Sequence, residues 1–297
     1  FSVREWDDEP RGSDVLVRTT YSVVSPGTEI SRIMDTHTKP LGFPCFVGYC
    51  SEGVVEAVGP EVKTLKVGDY VRSVFGHCGH VNASEEMLRK VPNGLKPGTA
   101  SLAVLMAIPL RGVRNAKVRM GDTVVIFGLG AVGIFAAMFA KVDGAATVIG
   151  VDPVEFRRSL AEKLGCDITV DPMKEDIDEV VKRETEDGAE VLIDATGTTA
   201  VISEIFRLSS LNGRICVLGG IHGKVELDLY TYFQKRNLTM YGSGSCRPED
   251  YPYDNQDADQ RVIVNMIRRG MIDPYPCLLY TSPSPRDLST PRMPSSA

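Results

Sequence analysis

A turn with three glycines separates a β-branched segment from an apolar, alanine-rich one near the middle of the chain. Residues 122–127 read DTVVIF and residues 131–142 read AVGIFAAMFAKV, which predicts a strand followed by a helix. In such a strand–turn–helix unit, the first glycine permits the tight turn, the second lets the backbone approach a pyrophosphate, and the third packs the helix on the strand. The helix N-terminus offers its unpaired amides to the phosphates. We therefore predict that a dinucleotide is bound by Gly128, Leu129, Gly130, Ala131, Val132 and Gly133.

The next predicted strand, residues 146–151, is followed by an aspartate that bears on the choice of cofactor. Asp152 lies about twenty residues beyond the glycine turn, the interval at which dinucleotide-binding folds carry an acidic residue. A carboxylate there accepts hydrogen bonds from the ribose hydroxyls and repels the 2′-phosphate of NADP. The sequence therefore favours NAD. Arg157 and Arg158 keep NADP open, because a guanidinium could stack on the adenine or bind a 2′-phosphate.

Strand and helix patterns alternate over residues 121–243. Six apolar strands separated by amphipathic helices predict a doubly wound parallel sheet with helices on both faces, the α/β fold of Rossmann domains. Ligands of such sheets bind at the carboxyl ends of the strands. Two later strands end in glycine turns, which are expected to line the nicotinamide side, with plain loop packing as the competing explanation. The residues concerned are Thr196, Gly197, Leu218, Gly219 and Gly220.

The first part of the chain has a different pattern. Short β-branched segments at 15–18, 53–58 and 70–74 are separated by Gly, Pro and Asp turns, which predicts a barrel-like β domain. Residues 100–113 are apolar and long enough for a buried helix that leads into the second domain. We expect a β domain over residues 1–117, a dinucleotide-binding domain over 118–255, and the beginning of a return to the first domain over 256–276.

The end of the chain breaks this pattern. Residues 277–287 read CLLYTSPSPRD and LSTPRMPSSA follows, so serine and proline replace the apolar periodicity. Segment 277–297 resembles the translation of a sequencing adaptor, and a disordered Ser/Pro tail is the plainer alternative. We leave it out of the expected fold. Since the chain also begins at Phe1 without a methionine, we expect it to be truncated at both ends.

The composition of the chain argues against several kinds of partner. A net charge of −6 and a pI near 5.4 argue against a nucleic-acid partner, because phosphate binding needs clustered basic surface. No apolar run approaches the roughly 20 residues that span a bilayer, so no membrane partner is expected. The seven cysteines include no C-x-x-C pair, which favours reduced thiols and a cytoplasmic location over a disulfide framework.

Four segments together resemble the medium-chain dehydrogenase/reductases, the alcohol dehydrogenase-like superfamily. They are VSPGTE (24–29), GYCSEGVVEAVGPEVKTLKVGDYV (48–71), GDTVVIFGLGAVG (121–133) and VDPVEFRRSLAEKLGCD (151–167). The resemblance implies a GroES-like β-barrel domain beside the Rossmann domain, and hydride transfer between a nicotinamide and a small alcohol or carbonyl. It also implies a homodimer or homotetramer. The branch with G-Y in place of G-H looks like the one that contains bacteriochlorophyllide dehydrogenase-like proteins.

The resemblance also shows where this chain departs from the zinc-dependent members. Their ligand motifs C-G-[ST]-D and G-H-E fall on Pro26–Glu29 and on Gly48–Cys50, so proline and Tyr49 stand where the Cys and His ligands would be. The structural zinc lobe is absent. Zinc needs three or four such ligands in a fixed geometry, so no metal is expected. Side chains of the right type exist elsewhere, without finger-like spacing, at Cys45, Cys50, His77, Cys78 and His80.

Without zinc, hydrogen-bond donors must polarise the reacting oxygen. Thr28 matches the family Ser/Thr that passes the substrate proton towards solvent, and Tyr49 places a phenol near the same point. We predict both as catalytic residues, with Tyr49 either as a general acid of lowered pKa or as a neutral oxyanion donor. Glu29 is disfavoured, because a carboxylate opposes alkoxide formation. A zinc-free enoyl or quinone reductase, and a nicotinamide-binding module without activity, are the alternatives.

Overall fold

The computed structural model describes residues 9–34, 46–221, 223–243 and 255–278. Its first sheet has five antiparallel strands in the spatial order β4–β1–β2–β3–β5. One face of this sheet covers a hydrophobic cluster that includes Val15, Val55 and Val71, because alternate residues of a strand point to the same side. The strands are β1 (Asp14–Ser22), β2 (Ser51–Val58), β3 (Tyr70–Ser73), β4 (His80–Ser84) and β5 (Arg89–Lys90).

A short helix that the sequence did not predict lies between the first two strands. This helix, α1, spans Pro26–Ile33. Proline is favoured at the first helical position, since its missing N–H would have no partner there. Pro26, Gly27 and Thr28 form the first turn of this helix.

The long helix α2 (Thr99–Ala116) connects the two sheets and is buried along nearly its whole length. It includes the predicted segment 100–113 and extends it at both ends. Lys117 follows in the left-handed region, with φ of 51°, and ends the helix.

The second sheet has six parallel strands in the order β11–β10–β9–β6–β7–β8, which confirms the predicted doubly wound fold. The order reverses between β6 and β9, and ligands of such sheets bind at that point. The strand before the predicted glycine turn 218–220 ends at Val217, where the amides of Leu218 and Gly219 donate to the carbonyl of Asp194. The strands are β6 (Thr123–Phe127), β7 (Thr147–Val151), β8 (Ile168–Val170), β9 (Ala189–Asp194), β10 (Ser209–Val217) and β11 (Thr239–Gly242).

Helices cover both faces of this sheet. One face packs on a cluster that includes Met106 of α2 and Phe135 of α3, and the other packs on a cluster that includes Val180 of α5 and Ile205 of α6. The strands are accordingly apolar on both sides, as the sequence predicted. The helices are α3 (Ala131–Val142), α4 (Glu155–Leu164), α5 (Ile177–Glu184), α6 (Thr199–Leu208) and α7 (Gln256–Arg268).

Helix α7 ties the two halves together through ion pairs. Asp259 accepts hydrogen bonds from Arg111, at 2.6 and 3.0 Å, and from Arg114 at 2.5 Å, both on α2. Two residues earlier, Asp257 accepts a hydrogen bond from Arg89 of β5 at 2.9 Å. The predicted domain limits at 117, 255 and 276 stay predictions. Segment 279–297 lies outside the described residues.

Of the helices in the described ranges, none is long and apolar enough to cross a membrane.

Candidate active site

The glycine turn that is predicted to bind phosphate brings β6 and α3 into close contact. Gly128 has φ of +87°, a conformation that L side chains rarely adopt. A Cβ on Gly133 would lie 1.8 Å from the carbonyl oxygen of Gly128, so only glycine lets α3 approach β6 this closely. A Cβ on Gly130 would meet nothing within 4 Å and would enter open space. The first intrahelical bond runs from the amide of Ile134 to the carbonyl of Gly130, which leaves the amides of 131–133 without an intrahelical partner and able to bind a phosphate.

Asp152 lies beside this turn. It is 2% exposed, and its Oδ2 accepts a hydrogen bond of 2.8 Å from the amide of Leu129. Its Oδ1 accepts another of 2.8 Å from the amide of Val154 at the start of α4. The carboxylate is therefore held in one orientation beside the turn, and the residues present fit an NAD-type cofactor.

The two arginines of α4 differ in how they are engaged. Arg158 donates to the carbonyl of Asp152 at 2.6 Å and pairs with Asp171 at 3.3 Å, with its side chain only 12% exposed. Arg157 lies 3.4 Å from the Asp152 carboxylate and is half exposed. Arg157 is thus the guanidinium that remains accessible to a cofactor, whereas Arg158 is committed to holding α4 on the sheet.

Thr196 connects the end of β9 to the glycine turn. Its hydroxyl donates to Oδ1 of Asp194 at 2.6 Å, and its amide donates to the same oxygen at 2.9 Å. A Cβ on Gly128 would lie 2.9 Å from the Thr196 methyl group. The predicted residue therefore borders the phosphate turn directly.

The two glycine turns after β9 and β10 pack on each other. A Cβ on Gly219 would lie 2.2 Å from the amide nitrogen of Gly197, and one on Gly197 would lie 3.2 Å from the carbonyl of Gly220. Leu218 packs on α2, where a Cβ on Gly112 would lie 2.1 Å from it. Close packing explains these glycines, and their contact with a nicotinamide stays a prediction.

The two predicted catalytic residues lie together. The phenol of Tyr49 donates a hydrogen bond of 2.7 Å to the hydroxyl of Ser25, the residue that precedes α1. Burial raises the pKa of Tyr49 above its ordinary value of 10.0, while hydrogen bonds with Ser25 and Thr28 act in the opposite direction. The lowered pKa that the sequence left open is therefore not observed. Tyr49 is a neutral phenol at physiological pH.

Ser25 is free for this contact because it does not cap α1 with its hydroxyl. At the N-terminus of α1, Oε1 of Glu29 instead accepts a hydrogen bond of 2.7 Å from the Ser25 amide. Oε2 of Glu29 lies 2.8 Å from Nε2 of His77, and Nδ1 of His77 lies 2.9 Å from the hydroxyl of Ser22. Glu29 is 5% exposed, and each of its carboxyl oxygens has a hydrogen-bond partner.

The residues in the described part of this site do not suit a zinc ion. Zinc is bound in proteins by sulfur, imidazole or carboxylate, whereas Pro26 has no donor and Tyr49 offers a phenol. Helix α2, which packs on this region, contains no Cys, His, Asp or Glu. Burial raises the pKa of the Cys50 thiol to about 12. Within the described ranges, no three His, Cys, Asp or Glu side chains are grouped to hold a metal ion. Cys45 lies outside those ranges.

Helix α2 sets the distance between the two parts of the site. The sulfur of Cys50, next to Tyr49, contacts the backbone of Leu105, and Leu218 packs on Gly112. These two points are seven residues apart on one helix, which corresponds to about 10 Å along its axis. The loop of Tyr49 and the glycine turn after β10 therefore both contact α2, about two helical turns apart.

The sequence reasoning missed Ser25, considered His77 only as a possible zinc ligand, and set Glu29 aside. Glu29 and His77 are 48 positions apart, so no spacing pattern connects them. One signal was present: the polar segment His77–Cys78 follows β3 and returns to the loop of Tyr49, where the amide of His77 donates to the carbonyl of Val47 at 3.1 Å.

Comparison with known proteins agrees with this architecture. Residues 11–117 match the family model "Alcohol dehydrogenase GroES-like domain" and residues 131–258 match "Zinc-binding dehydrogenase". The D-arabitol-phosphate dehydrogenase of Enterococcus avium is 27% identical over 301 residues, covering 89% of this chain and 82% of that protein. The D-guloside 3-dehydrogenase of Escherichia coli K12 is 34% identical over 234 residues, covering 74% of this chain and 65% of its own length.

Among solved structures, a putative zinc-binding dehydrogenase from Sinorhizobium meliloti 1021 bound to NADP superimposes with a TM-score of 0.77 at 22% identity, covering 90% of this chain and 84% of that one. This likeness shows a shared fold. The chain belongs to the medium-chain dehydrogenase/reductase superfamily. It is an NAD(P)-dependent oxidoreductase, of the kind that transfers a hydride between an alcohol or carbonyl and the nicotinamide.

Proposed function

We propose that this protein interconverts a secondary alcohol of a small polyhydroxy compound and the corresponding ketone with NAD(H), and that side-chain hydroxyls rather than zinc hold the reacting oxygen. The observation that carries the proposal is the hydrogen bond of 2.7 Å between Tyr49 and Ser25, beside Thr28, at the position of the family's metal loop. The relatives named above act on arabitol phosphate and on a guloside, which supports a polyhydroxy substrate.

Asp152 and the glycine turn support NAD as the cofactor. The Asp152 carboxylate is held by the amides of Leu129 and Val154, in a position to accept hydrogen bonds from a ribose. A 2′-phosphate would approach this negative charge. When bound, the nicotinamide supplies the hydride acceptor or donor. The protein has to hold the reacting carbon against it and move the proton of the alcohol.

Tyr49 can perform that proton step as a neutral phenol. In alcohol oxidation, the phenol oxygen accepts the hydrogen bond of the substrate hydroxyl while its own proton is already directed to Ser25. In carbonyl reduction, the phenol donates to the oxygen on which negative charge develops, and a donor placed at that point stabilises the transition state. The raised pKa keeps the phenol protonated for this role.

The experiment is Tyr49→Phe, assayed over a panel of polyols, ketones and enones. We expect turnover to fall by about 10²–10³-fold, the loss typical of one oxyanion donor, with the Kd for NADH unchanged. Tyr70→Phe is the matched control, since Tyr70 is another hydroxyl-bonded tyrosine of the first sheet, bonded to Glu52 at 2.8 Å. Unaltered turnover of Tyr49→Phe would reject the role of the phenol.

The same assays separate the alternatives. NADH oxidation with enones alone would indicate an enoyl or quinone reductase, and NADH binding without turnover would indicate a binding module. Metal analysis of the purified protein tests the zinc-free mechanism. One zinc per chain, with activity lost to a chelator and restored by zinc, would overturn it. We also propose a cytoplasmic location, on the cysteine pattern, and a homodimer or homotetramer, on the family resemblance.

A further inference from the structure

The residue before Tyr49 lies against a histidine from another segment. Gly48 has φ of +88°, and a Cβ on it would stand 2.8–2.9 Å from three atoms of the His77 ring. The amide of His77 also donates a hydrogen bond of 3.1 Å to the carbonyl of Val47. The conformation of Gly48 sets the direction in which the chain enters Tyr49, so His77 limits where the phenol lies.

The His77 ring is fixed at both of its nitrogens. Nε2 lies 2.8 Å from Oε2 of Glu29, and Nδ1 lies 2.9 Å from the hydroxyl of Ser22 at the end of β1. A carboxylate only accepts hydrogen bonds, so Nε2 is the donor to Glu29, and Nδ1 of the neutral ring accepts from Ser22. The Glu29 side chain is 6% exposed, and a hydrogen bond shielded from water is electrostatically stronger than one at the surface. The ring is therefore held in one orientation.

Glu29 also fixes the residue that accepts the hydrogen bond of Tyr49. Oε1 of Glu29 accepts a hydrogen bond of 2.7 Å from the amide of Ser25, and the Glu29 amide donates one of 3.0 Å to the Ser25 carbonyl. Ser25 is 5% exposed and uses its hydroxyl for the phenol, at 2.7 Å. The pair of Glu29 and His77 thus contacts both ends of this hydrogen bond, at the serine through its backbone and at the tyrosine through the preceding glycine.

We propose that Glu29 and His77 are positioning residues that hold the phenol of Tyr49 in register for the reaction, a statement that rests on the proposed role of that phenol. The pair transfers no proton in this role. It keeps the phenol at one point before the substrate arrives, and a donor fixed in advance stabilises developing charge without reorganisation during the reaction. An unpaired carboxylate near the reacting oxygen would oppose an alkoxide, whereas both carboxyl oxygens of Glu29 face N–H donors, on Ser25 and His77.

The first test is a double-mutant cycle of His77→Ala and Tyr49→Phe in the full chain. A misplacement of about 1 Å can cost about 10²-fold in rate, so we expect His77→Ala to lower kcat for alcohol oxidation by about 10–100-fold, with the Kd for NADH unchanged. In the Tyr49→Phe background the same substitution should have little further effect on the residual kcat, because no phenol is left to position. Equal factors in both backgrounds would show that His77 does not act through Tyr49 and would overturn the proposal.

His80→Ala is the matched control. His80 also pairs with a glutamate, Glu56 at 3.1 Å, but both side chains are exposed, and the variant should keep the wild-type kcat. A loss of kcat in His80→Ala equal to that in His77→Ala would overturn the assignment to this one pair. Should His77→Ala fold poorly, His77→Asn takes its place in the cycle, since its shorter amide can still bond to Ser22 but does not reach Glu29.

Glu29→Gln and Glu29→Ala separate position from charge. The amide of glutamine can accept from Ser25 and donate to Nε2 in the other tautomer of His77, so Glu29→Gln should keep most of the wild-type kcat. Glu29→Ala removes both contacts and should lose kcat as His77→Ala does. A loss in Glu29→Gln as large as that in Glu29→Ala would overturn the positioning role.

Failure of the proposed function would give a different result. Wild-type protein without alcohol oxidation, or Tyr49→Phe with unaltered turnover, would overturn the proposed function and the positioning role together. Turnover that depends on Tyr49 but not on His77 would overturn the positioning role alone.

Discussion

The amide of Leu129 donates a hydrogen bond of 2.8 Å to the carboxylate of Asp152. This contact joins the glycine turn after β6 to the end of β7, the neighbouring strand. The two parts of the cofactor site are thereby held in register before any ligand binds. We therefore expect the side chain of Asp152 to influence the preference between NAD and NADP.

Asp152→Ala should move the preference towards NADPH. Removing the carboxylate deletes the acceptor of the ribose hydroxyls and the repulsion of a 2′-phosphate. Hydrogen bonds to charged groups contribute about 1.5–3 kcal/mol, so we expect the ratio of Kd values for NADH and NADPH to change by about tenfold or more. Fluorescence titration measures both constants. If Arg157 contacts the phosphate, the double variant with Arg157→Ala should lose the gain for NADPH. A ratio that stays constant in Asp152→Ala would contradict this role.

Gly130→Ala should mainly lower NADH affinity, whereas Gly133→Ala should mainly lower stability. The methyl group at 130 would enter open space where we expect the pyrophosphate to bind, so NADH affinity should fall at least tenfold while stability changes by less than about 1 kcal/mol. The methyl group at 133 would meet the Gly128 carbonyl, and overpacking of this kind costs about 1–3 kcal/mol or more. Urea unfolding and NADH titration of both variants separate the effects. Equal loss of stability in the two would contradict the geometry.

Glu52 should make stability fall as the pH rises. Burial raises its pKa above the ordinary 4.5, although hydrogen bonds from Gly98, Tyr70 and Ser101 act in the opposite direction. The folded state therefore binds the proton more tightly than the unfolded chain. Linkage then makes the free energy of unfolding decrease from pH 4.5 up through the raised pKa. Glu52→Gln should remove this slope, measured by urea unfolding at several pH values.

Glu85 is the control, because its pKa is shifted in the direction opposite to that of Glu52. Hydrogen bonds from Thr64, Lys63 and Leu65 lower its pKa to about 2. Its stabilising contribution is present above pH 4.5 and is lost as the pH falls towards 2. In Glu85→Gln the loss of stability should thus be seen at neutral pH and should vanish in acid. Identical pH profiles for the two variants would contradict both assignments.

Asp259→Ala should strongly destabilise the folded protein, because it removes a buried charge of α7. Asp259 is 1% exposed, and its carboxylate accepts hydrogen bonds from Arg111 and Arg114 of α2. Removing one partner of a buried ion pair costs about 3–5 kcal/mol. Asp257→Ala is the control, because its partly exposed pair with Arg89 should contribute about 1 kcal/mol or less. Urea unfolding measures both. A small effect at Asp259 would show that α7 does not depend on this contact.

The second sheet could be predicted from the sequence nearly strand by strand. Each of its elements carries a local signal, such as the apolar run before Gly128 or the helix 131–142 that the structure reproduces residue for residue. The first turn of α1 escaped prediction because Pro26 and Gly27 are typical of turns, and helices as short as eight residues gain their stability from tertiary contacts.

The sequence by itself determined the fold class, the glycine turn and the acid at Asp152, because each depends on residue type at a fixed local spacing. The family resemblance added that Pro26 and Tyr49 stand where the zinc-dependent members carry Cys and His. Only the tertiary structure decided the pairing of Glu29 with His77, the bond of Tyr49 to Ser25, and the raised pKa of that phenol. These depend on burial and on contacts between segments that are distant in the chain, and a local sequence pattern predicts neither.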